Sequence, residues 1–470
     1  MSDYEQLPNI TEKLVRYGLA NGAEETEIFC VKEKRISISH DGEAIDTNSS
    51  VTAGIGVRVA IGKKWAFTSS SSLDLQNAGT EILEAIRIAR IREDDPDFSG
   101  FPLEGHIPAF KTRLDDLKNI QIEEIISSLV DARRSALDLD KNLSNVQGSF
   151  QVKFGKRAIS NSSGLNYSYN RGSYTTSFSA VGSYGENRFS ENSFTGGTKL
   201  SYDFENLALD AAQRTVDMFQ QSTPVQGGNM DVIMEPFAAA IFFIGISRVI
   251  FKGNLALTNR SILTLNDLGT QVGSKALTLI DDGLLDGGIK AAPVDDEGTP
   301  SSTTPIIKNG ILTNFLFDYS SAKKASVEPT GNALRGIGHS ARSYTSLPTI
   351  GARDRVIGEG EKTQAELISQ TDNGILIGYP AGIFLGNPMT TDFTIFPTRV
   401  LRIKNGEIIS PVIGVSMAGN GLQWLKKIIS VGNDSKMMES VVSPSVVFSD
   451  IAVNSSKPKK TGMKMPPMMG

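Results

Sequence analysis

Between Asp231 and Phe251 the chain reads DVIMEPFAAAIFFIGISRVIF, and the run from Pro236 to Ser247 contains no charged side chain. About a dozen apolar residues fall short of the ~20 that cross a bilayer, so the run reads as a helix buried inside a protein core. Proline suits the first helical position, where its missing N–H would have no partner, and a carboxylate just ahead of it favours the positive end of the helix dipole. Glu235 therefore has a structural role as the residue that starts this helix, with a catalytic carboxylate as the alternative.

A helix that is apolar all round needs a large domain to enclose it. The chain has 470 residues, beyond the roughly 250–300 at which single cores stop growing, so two or three domains are expected. A hydrophobic content of 39% with 21% charged residues is that of a soluble globular protein. The net charge of -5 offers no basic face to neutralise phosphates and argues against direct nucleic-acid binding. Cys30 is the only cysteine, which excludes an intramolecular disulfide; it alternates with Ile28 and Lys32 and reads as a small buried side chain. The opening MSDYEQLPNITEKL lacks the basic and apolar regions of a secretory leader, and the expectation is a cytoplasmic protein with no membrane span.

Periodicity divides the chain into sections and gives an α+β reading. Residues 1–93 form an N-terminal unit. Its first helix is expected from Asn9, where N-I-T-E supplies a cap, to Gly22, with Ile10, Leu14, Val15, Gly18 and Leu19 inward. ETEIFCVKEKRISISHDG and AGIGVRVAIGKKWAFTSS alternate with period two around turns at Asp41-Gly42 and Ile61-Gly62-Lys63, predicting an antiparallel sheet. A second helix is expected from Leu73 to Arg92 on a face of Ile82, Leu83, Ile86 and Ala89.

Residues 94–228 form a middle section. It holds a proline-rich connection to residue 113, a helix over Ile122–Leu139, polar strands from Ser149 to Phe194 and a helix over Phe204–Gln220. Residues 229–453 read as a β-rich C-terminal domain. In it Lys308-Asn309-Gly310 and Lys404-Asn405-Gly406 each separate apolar strands, the signal of a type I′ hairpin. Residues 454–470, rich in Lys, Met and Pro, are expected to be disordered.

Residues that carry chemistry are sparse. His40, His106 and His339 never share a helix turn, so no histidine-pair zinc motif exists. Asp295, Asp296 and Glu297 could hold a hard cation through oxygen, or form an acidic turn with Gly298 and Pro300. The hydroxyls of Ser301–Thr304 have no adjacent base. The glycine clusters GIGVRV, DGGIKA and RGIGH lack phosphate-cradle spacing and read as turns. Thr330-Gly331-Asn332-Ala333 with Arg335 is more site-like, since a guanidinium beside exposed amides can hold a peptide carboxylate or carbonyl; a structural loop is the alternative.

Taken in order, GIGVRVAIGKKWAFTSSS with AIRIAR after it, GGIKAAPVDDEGTPSSTTPIIKNGIL, EPTGNALR and IGVSMAGNGLQWLKKIISVGNDS resemble the TldD/PmbA family, peptidases also described as modulators of DNA gyrase. The TldD branch carries His-Glu-x-x-x-His on a helix after a strand, plus a late cysteine ligand. The TldE/PmbA branch lacks these ligands and pairs with TldD. Here EPFAAAIFFIGIS has a glutamate without histidine and AGNGLQWLKK has no cysteine, so the resemblance is to the TldE/PmbA branch.

The resemblance implies an α+β N-terminal half, a β-rich C-terminal half and a dimer enclosing a cavity for extended or unfolded peptides. The expectation is a subunit with no metal, cofactor or catalytic residue of its own. It would pair with a TldD-like metallopeptidase as a heterodimer, or form a homodimer, and act on peptide substrates. Glu235, Asp295, Asp296, Glu297, Thr330, Asn332 and Arg335 are the candidates for the peptide cavity or interface. The alternatives are an independent hydrolase with a carboxylate-held metal at Asp295–Glu297, and a non-enzymatic modulator of DNA gyrase.

Overall fold

A computed structural model describes residues 6–42, 44–111, 114–336 and 343–455. His339 and, from residue 456, the tail expected to be disordered lie outside these. Residues 454 and 455, placed in that tail by composition, instead end the strand Val446–Ser455.

Helix α1 spans Leu7–Ala20 with Pro8 in its first turn. It thus starts ahead of Asn9, because the fixed proline φ nucleates the turn and no Asn9 cap is needed. Leu14, Val15 and Gly18 face inward, while Leu19 is exposed. The hairpins β1 (Glu25–Asp41), β2 (Ala44–Ile61) and β3 (Lys64–Ser70) follow. Helix α2 (Leu75–Ile91) is capped by Asp74, whose side chain accepts from the N–H groups of Gln76 and Asn77. Its inner face is Ala78, Ile82, Ala85, Ile86 and Ala89. Leu83, expected there, points to solvent at 43% exposure, because the small Ala85 lets the helix approach the sheet on a face turned away from it.

The proline-rich connection is irregular but anchored: Phe98 and Phe101 pack with Ala60 and Trp65. After it come α3 (Leu114–Lys118), α4 (Ile122–Leu137), β4 (Leu143–Asn161), β5 (Asn166–Tyr184), β6 (Asn187–Gly197) and α5 (Phe204–Val216). The six strands form one antiparallel sheet in the order β3-β2-β1-β4-β5-β6. Because β1 pairs with β4 from Glu27↔Asn161 to His40↔Gly148, a single sheet runs across the connection near residue 94.

One face of this sheet is covered by helices. Residues of α1 and α2 pack on Ile28, Cys30, Val57 and Val59, and residues of α4 and α5 pack on Phe150, Val152 and Phe178. Since side chains alternate across a strand, Glu27, Phe29 and Val31 point to the other face. There Phe29 and Val31 meet Ile159, Leu165 and Tyr344, the last from the C-terminal half. The glycines of GIGVRV serve this docking and make no turn, contrary to the sequence reading. A Cβ on Gly54 would come within 2.6 Å of the Tyr344 ring, and one on Gly56 within 2.9 Å of the Tyr344 carbonyl oxygen.

The C-terminal half opens with β7 (Gly228–Met234), α6 (Pro236–Ile250) and α7 (Gly253–Leu257), followed by β8 (Leu279–Asp282), β9 (Thr303–Lys308) and β10 (Ile311–Leu312). An eight-stranded sheet contains β7, and a six-stranded sheet contains β8, β9 and β10. Helix α6 is the expected core helix. Ala238 to Phe243 are buried in a cluster that draws on both sheets, and Phe242 packs against Phe393, Trp424 and Phe448. Both KNG sequences form hairpins with left-handed central residues, φ 49° and 82° at Asn309-Gly310 and 50° and 82° at Asn405-Gly406, as a type I′ turn requires.

Candidate functional site

The seam between the two halves is built of charge. Glu27 on β1 and Arg58 on β2 stand opposite each other in register, and Arg58 Nε donates to Glu27 Oε1 at 2.8 Å while its Nη2 donates to Oε2. From the other half, Arg335 Nη2 donates to the same Glu27 Oε1 at 2.7 Å, and Glu297 Oε1 lies 2.9 Å from Arg58 Nη1. Asp296 Oδ1 accepts from Arg157 Nη1 on β4 at 2.6 Å, and its Oδ2 accepts the Arg335 backbone N–H at 2.8 Å. The Phe29 ring lies under both Arg157 and Arg335, adding cation–π attraction in a dry setting.

Each acidic candidate has a distinct environment. Asp295 accepts backbone N–H groups from Glu297 and Thr299 on Oδ1 and from Ala333 on Oδ2. Burial, and then the charge of Glu297, nevertheless raise it well above the usual carboxylate range. Burial also raises Glu297, against the pull of Arg58. For Asp296 burial is outweighed by Arg157 and the Arg335 amide, and its pKa is lowered. Asp295 thus holds the turn together, while Asp296 and Glu297 bind guanidinium groups of the N-terminal sheet.

Thr330, Asn332 and Arg335 come to the same region bonded inward, except that Asn332 Oδ1 is buried without a hydrogen-bond partner among the described residues. Thr330 Oγ1 accepts from Phe317 N at 2.8 Å. Asn332 Nδ2 donates to Asp281 Oδ2 at 2.7 Å and to the Gly351 carbonyl at 3.0 Å. Arg335 donates further to the Asp296 and Ser346 carbonyls. Arg353, which sequence reasoning passed over, is the interior clamp of this loop: it donates to the carbonyls of Gly331, Lys290 and Val294.

Glu235 stands apart. It is the residue ahead of α6, as expected, but its side chain makes no cap bond. Its Oε2 accepts from Arg214 on α5 at 2.7 Å and its Oε1 accepts from Arg399. Arg399 also pairs with Asp217 at 2.8 Å, and Glu191 on β6 lies 3.7 Å from Arg214. Burial pushes Glu191 up to about 7 despite the two arginines. This second cluster binds the middle section to the start of the core helix.

Sequence reasoning missed Glu27, Arg58, Arg157, Arg214 and Arg399, whose partners lie in distant segments. The available signal was a charge inside a strand whose neighbours are all apolar, as with Arg58 in GIGVRVAIG. The residues do not fit a zinc centre. Among the described residues no group of three or more His, Cys, Asp and Glu is placed to hold a metal, and α6 presents Ala, Ile and Phe to the core. The Cys30 thiol is pushed up to about 12 by burial, so it supplies no thiolate.

Three family models match consecutive parts of the chain: PmbA/TldA metallopeptidase domain 1 over residues 26–91, the central domain over 115–219 and the C-terminal domain over 227–455. An uncharacterized protein of Methanocaldococcus jannaschii is 28% identical over 451 residues, covering 94% of this chain and 99% of its own. The metalloprotease PmbA of Escherichia coli O157:H7 is 25% identical over 446 residues, covering 93% of each. The crystal structure of TldE from Thermococcus kodakarensis superposes with a TM-score of 0.87 at 23% identity, covering 94% of this chain and 99% of that one, and shares the fold.

Proposed function

The chain belongs to the PmbA/TldD metallopeptidase family, and from that premise we propose that it is the subunit without metal ligands in a complex with a TldD-type metallopeptidase. In this reading it stabilises the metal-bearing partner in the cytoplasm and lines the space in which unfolded or modified peptides are cleaved.

The observation that carries the reading is helix α6. Ala238 to Phe243 are closed into the core, where a hydrolytic zinc would need three protein ligands and an open fourth position. Of the described histidines, His40 lies on β1 and His106 in the connection after α2, and neither is on α6. On this reading α6 takes the place that the ligand helix has in the metal-bearing branch and offers packing residues there. The Ser, Thr, Tyr and Asn side chains of β5 and β6 offer donors and acceptors for an extended peptide backbone. No helix among the described residues is long and apolar enough to cross a membrane.

The test is co-expression with a family member that carries His-Glu-x-x-x-His. A co-eluting complex with peptidase activity above that of either chain alone is expected. Separate elution with unchanged activity sinks the reading, as does stoichiometric zinc with peptidase activity in the isolated chain.

A further inference from the structure

Strand β2 outruns its outer neighbour. It pairs with β1 along its whole length, from Glu25↔Ala60 to Asp41↔Ala44, but with β3 only from Ile55↔Ser70 to Ile61↔Lys64. From Ala44 to Gly54 its outer edge meets no other strand and no backbone hydrogen bond among the described residues. Every residue from Ala44 to Val51 is exposed, including the large apolar side chains of Ile45 at 44% and Val51 at 59%.

The pairing register fixes which backbone groups lie on this edge. Ile61↔Lys64 closes a two-residue turn, so Ile61, Val59, Val57 and Ile55 are the β2 residues that bond to β3. The β1 pairing continues past them without a bulge, and by the same alternation Val51, Ser49, Thr47 and Ile45 direct their N–H and C=O groups away from β1. Natural sheets protect such an edge with a lysine, a proline or a bulge. Residues 44–52, AIDTNSSVT, hold neither lysine nor proline, and Asp46 is their only charge.

The edge is complementary to itself. Turned about a two-fold axis through Asn48, it sets Ile45 opposite Val51, Asp46 opposite Ser50 and Thr47 opposite Ser49. Outward-directed residues then meet outward-directed residues and exchange about eight backbone hydrogen bonds. The apolar side chains cover each other, and no two carboxylates are opposed. With its Ala44 opposite Thr52, the arriving strand stops short of Ser70, where β3 begins to occupy the edge. Moving the axis by one residue either way parts Ile45 from Val51.

We propose that the Ala44–Val51 edge of β2 is a docking surface for a second copy of this chain, which joins two six-stranded N-terminal sheets into one antiparallel sheet across a two-fold axis. The contact is one strand edge, small beside a standard protein interface, so the association is reversible and depends on concentration. It does not rest on the pairing with a metal-bearing subunit.

The experiment is sedimentation velocity of the full chain over a range of concentrations, with cysteine cross-linking to read the register. A monomer–dimer equilibrium is expected, and Ser49→Pro should weaken it about tenfold or more. The symmetric contact loses that donor twice, while the β1 ladder does not use the Ser49 N–H. Asn48 sits on the axis at a pair without hydrogen bonds, where Cα atoms approach to about 4.5 Å, within disulfide reach. Asn48→Cys should therefore cross-link the dimer under mild oxidation, with the buried Cys30 as a silent background. Ser50→Cys, more than about 12 Å from its counterpart, should not. If Ser49→Pro does not fold, Val51→Lys at an exposed position supplies the comparison and should weaken the dimer as well. A chain that stays monomeric up to roughly 100 μM overturns the proposal; if that monomer binds an unstructured heptapeptide in a Ser49-dependent way, the edge belongs to peptides instead. A dimer that is indifferent to Ser49→Pro and is not cross-linked by Asn48→Cys overturns the surface, and cross-linking through Ser50→Cys but not Asn48→Cys overturns the register.

Discussion

Glu27 Oε1 accepts from Nη2 of Arg335 at 2.7 Å across 308 residues of sequence, and both side chains are fully buried. This contact joins the first strand of the N-terminal sheet to the loop that follows Asn332. A pair so dry gains little over an apolar pair of the same shape, but losing one partner strands the other in a medium that solvates it poorly.

Replacing Arg335 by Met should therefore destabilise the protein by about 3–5 kcal/mol, read as a lower urea midpoint. Glu27→Gln should cost less when added to Arg335→Met than alone, because the two act as one unit. Strictly additive effects would show that the pair is not coupled.

Acidity should matter through Glu191 and Asp354, which burial pushes up to about 7 and about 6. Both groups bind protons more tightly folded than unfolded, so stability contributed by their protonated forms is full below the unfolded carboxylate range and is lost as pH rises through about 6 to 7. Glu191→Gln mimics the protonated form and should be more stable than the parent at pH 8, with the difference vanishing near pH 4. A gain independent of pH would contradict the assignment.

Two glycine substitutions separate strain from collision. Gly62 has φ 60° with open space around a built Cβ, whereas at Gly310, φ 82°, a Cβ would come within 2.4 Å of the Gly273 carbonyl oxygen. Gly62→Ala should cost about 1–2 kcal/mol from left-handed backbone alone. Gly310→Ala should cost clearly more, and equal melting temperatures would refute the packing at the first KNG hairpin.

Cys30, buried under α1 and α2 and with its thiol pushed up to about 12, should resist an aromatic disulfide reagent at pH 8 in the native protein. One thiol per chain should react in denaturant. Rapid native labelling would mean that the helical layer opens readily over β1.

Features written within a few residues were legible in advance. The two KNG turns follow from the tolerance of Asn and Gly for positive φ, and α6 follows from an apolar run behind Glu235-Pro236. Errors arose where one element meets another. The helical period alone points Leu83 inward, but the period leaves the face's angle to be settled by what packs on it. The glycine spacing at Gly54 and Gly56 suits turns, but its cause is Tyr344, nearly three hundred residues on, which presses against both. The role of Glu235 was half visible: its place ahead of α6 is local, its arginine partners are not.

The sequence by itself determined the α+β class, the family framework and the absence of a histidine pair on the core helix, because these reside in short-range pattern and in residue identity. Only the tertiary structure decided that the first two sections share one sheet and that the acidic turn at Asp295–Glu297 and Arg335 close an interior ionic seam. A charge carries no mark of its partner along the chain; strand register and the packing of the two halves bring Glu27 to Arg335.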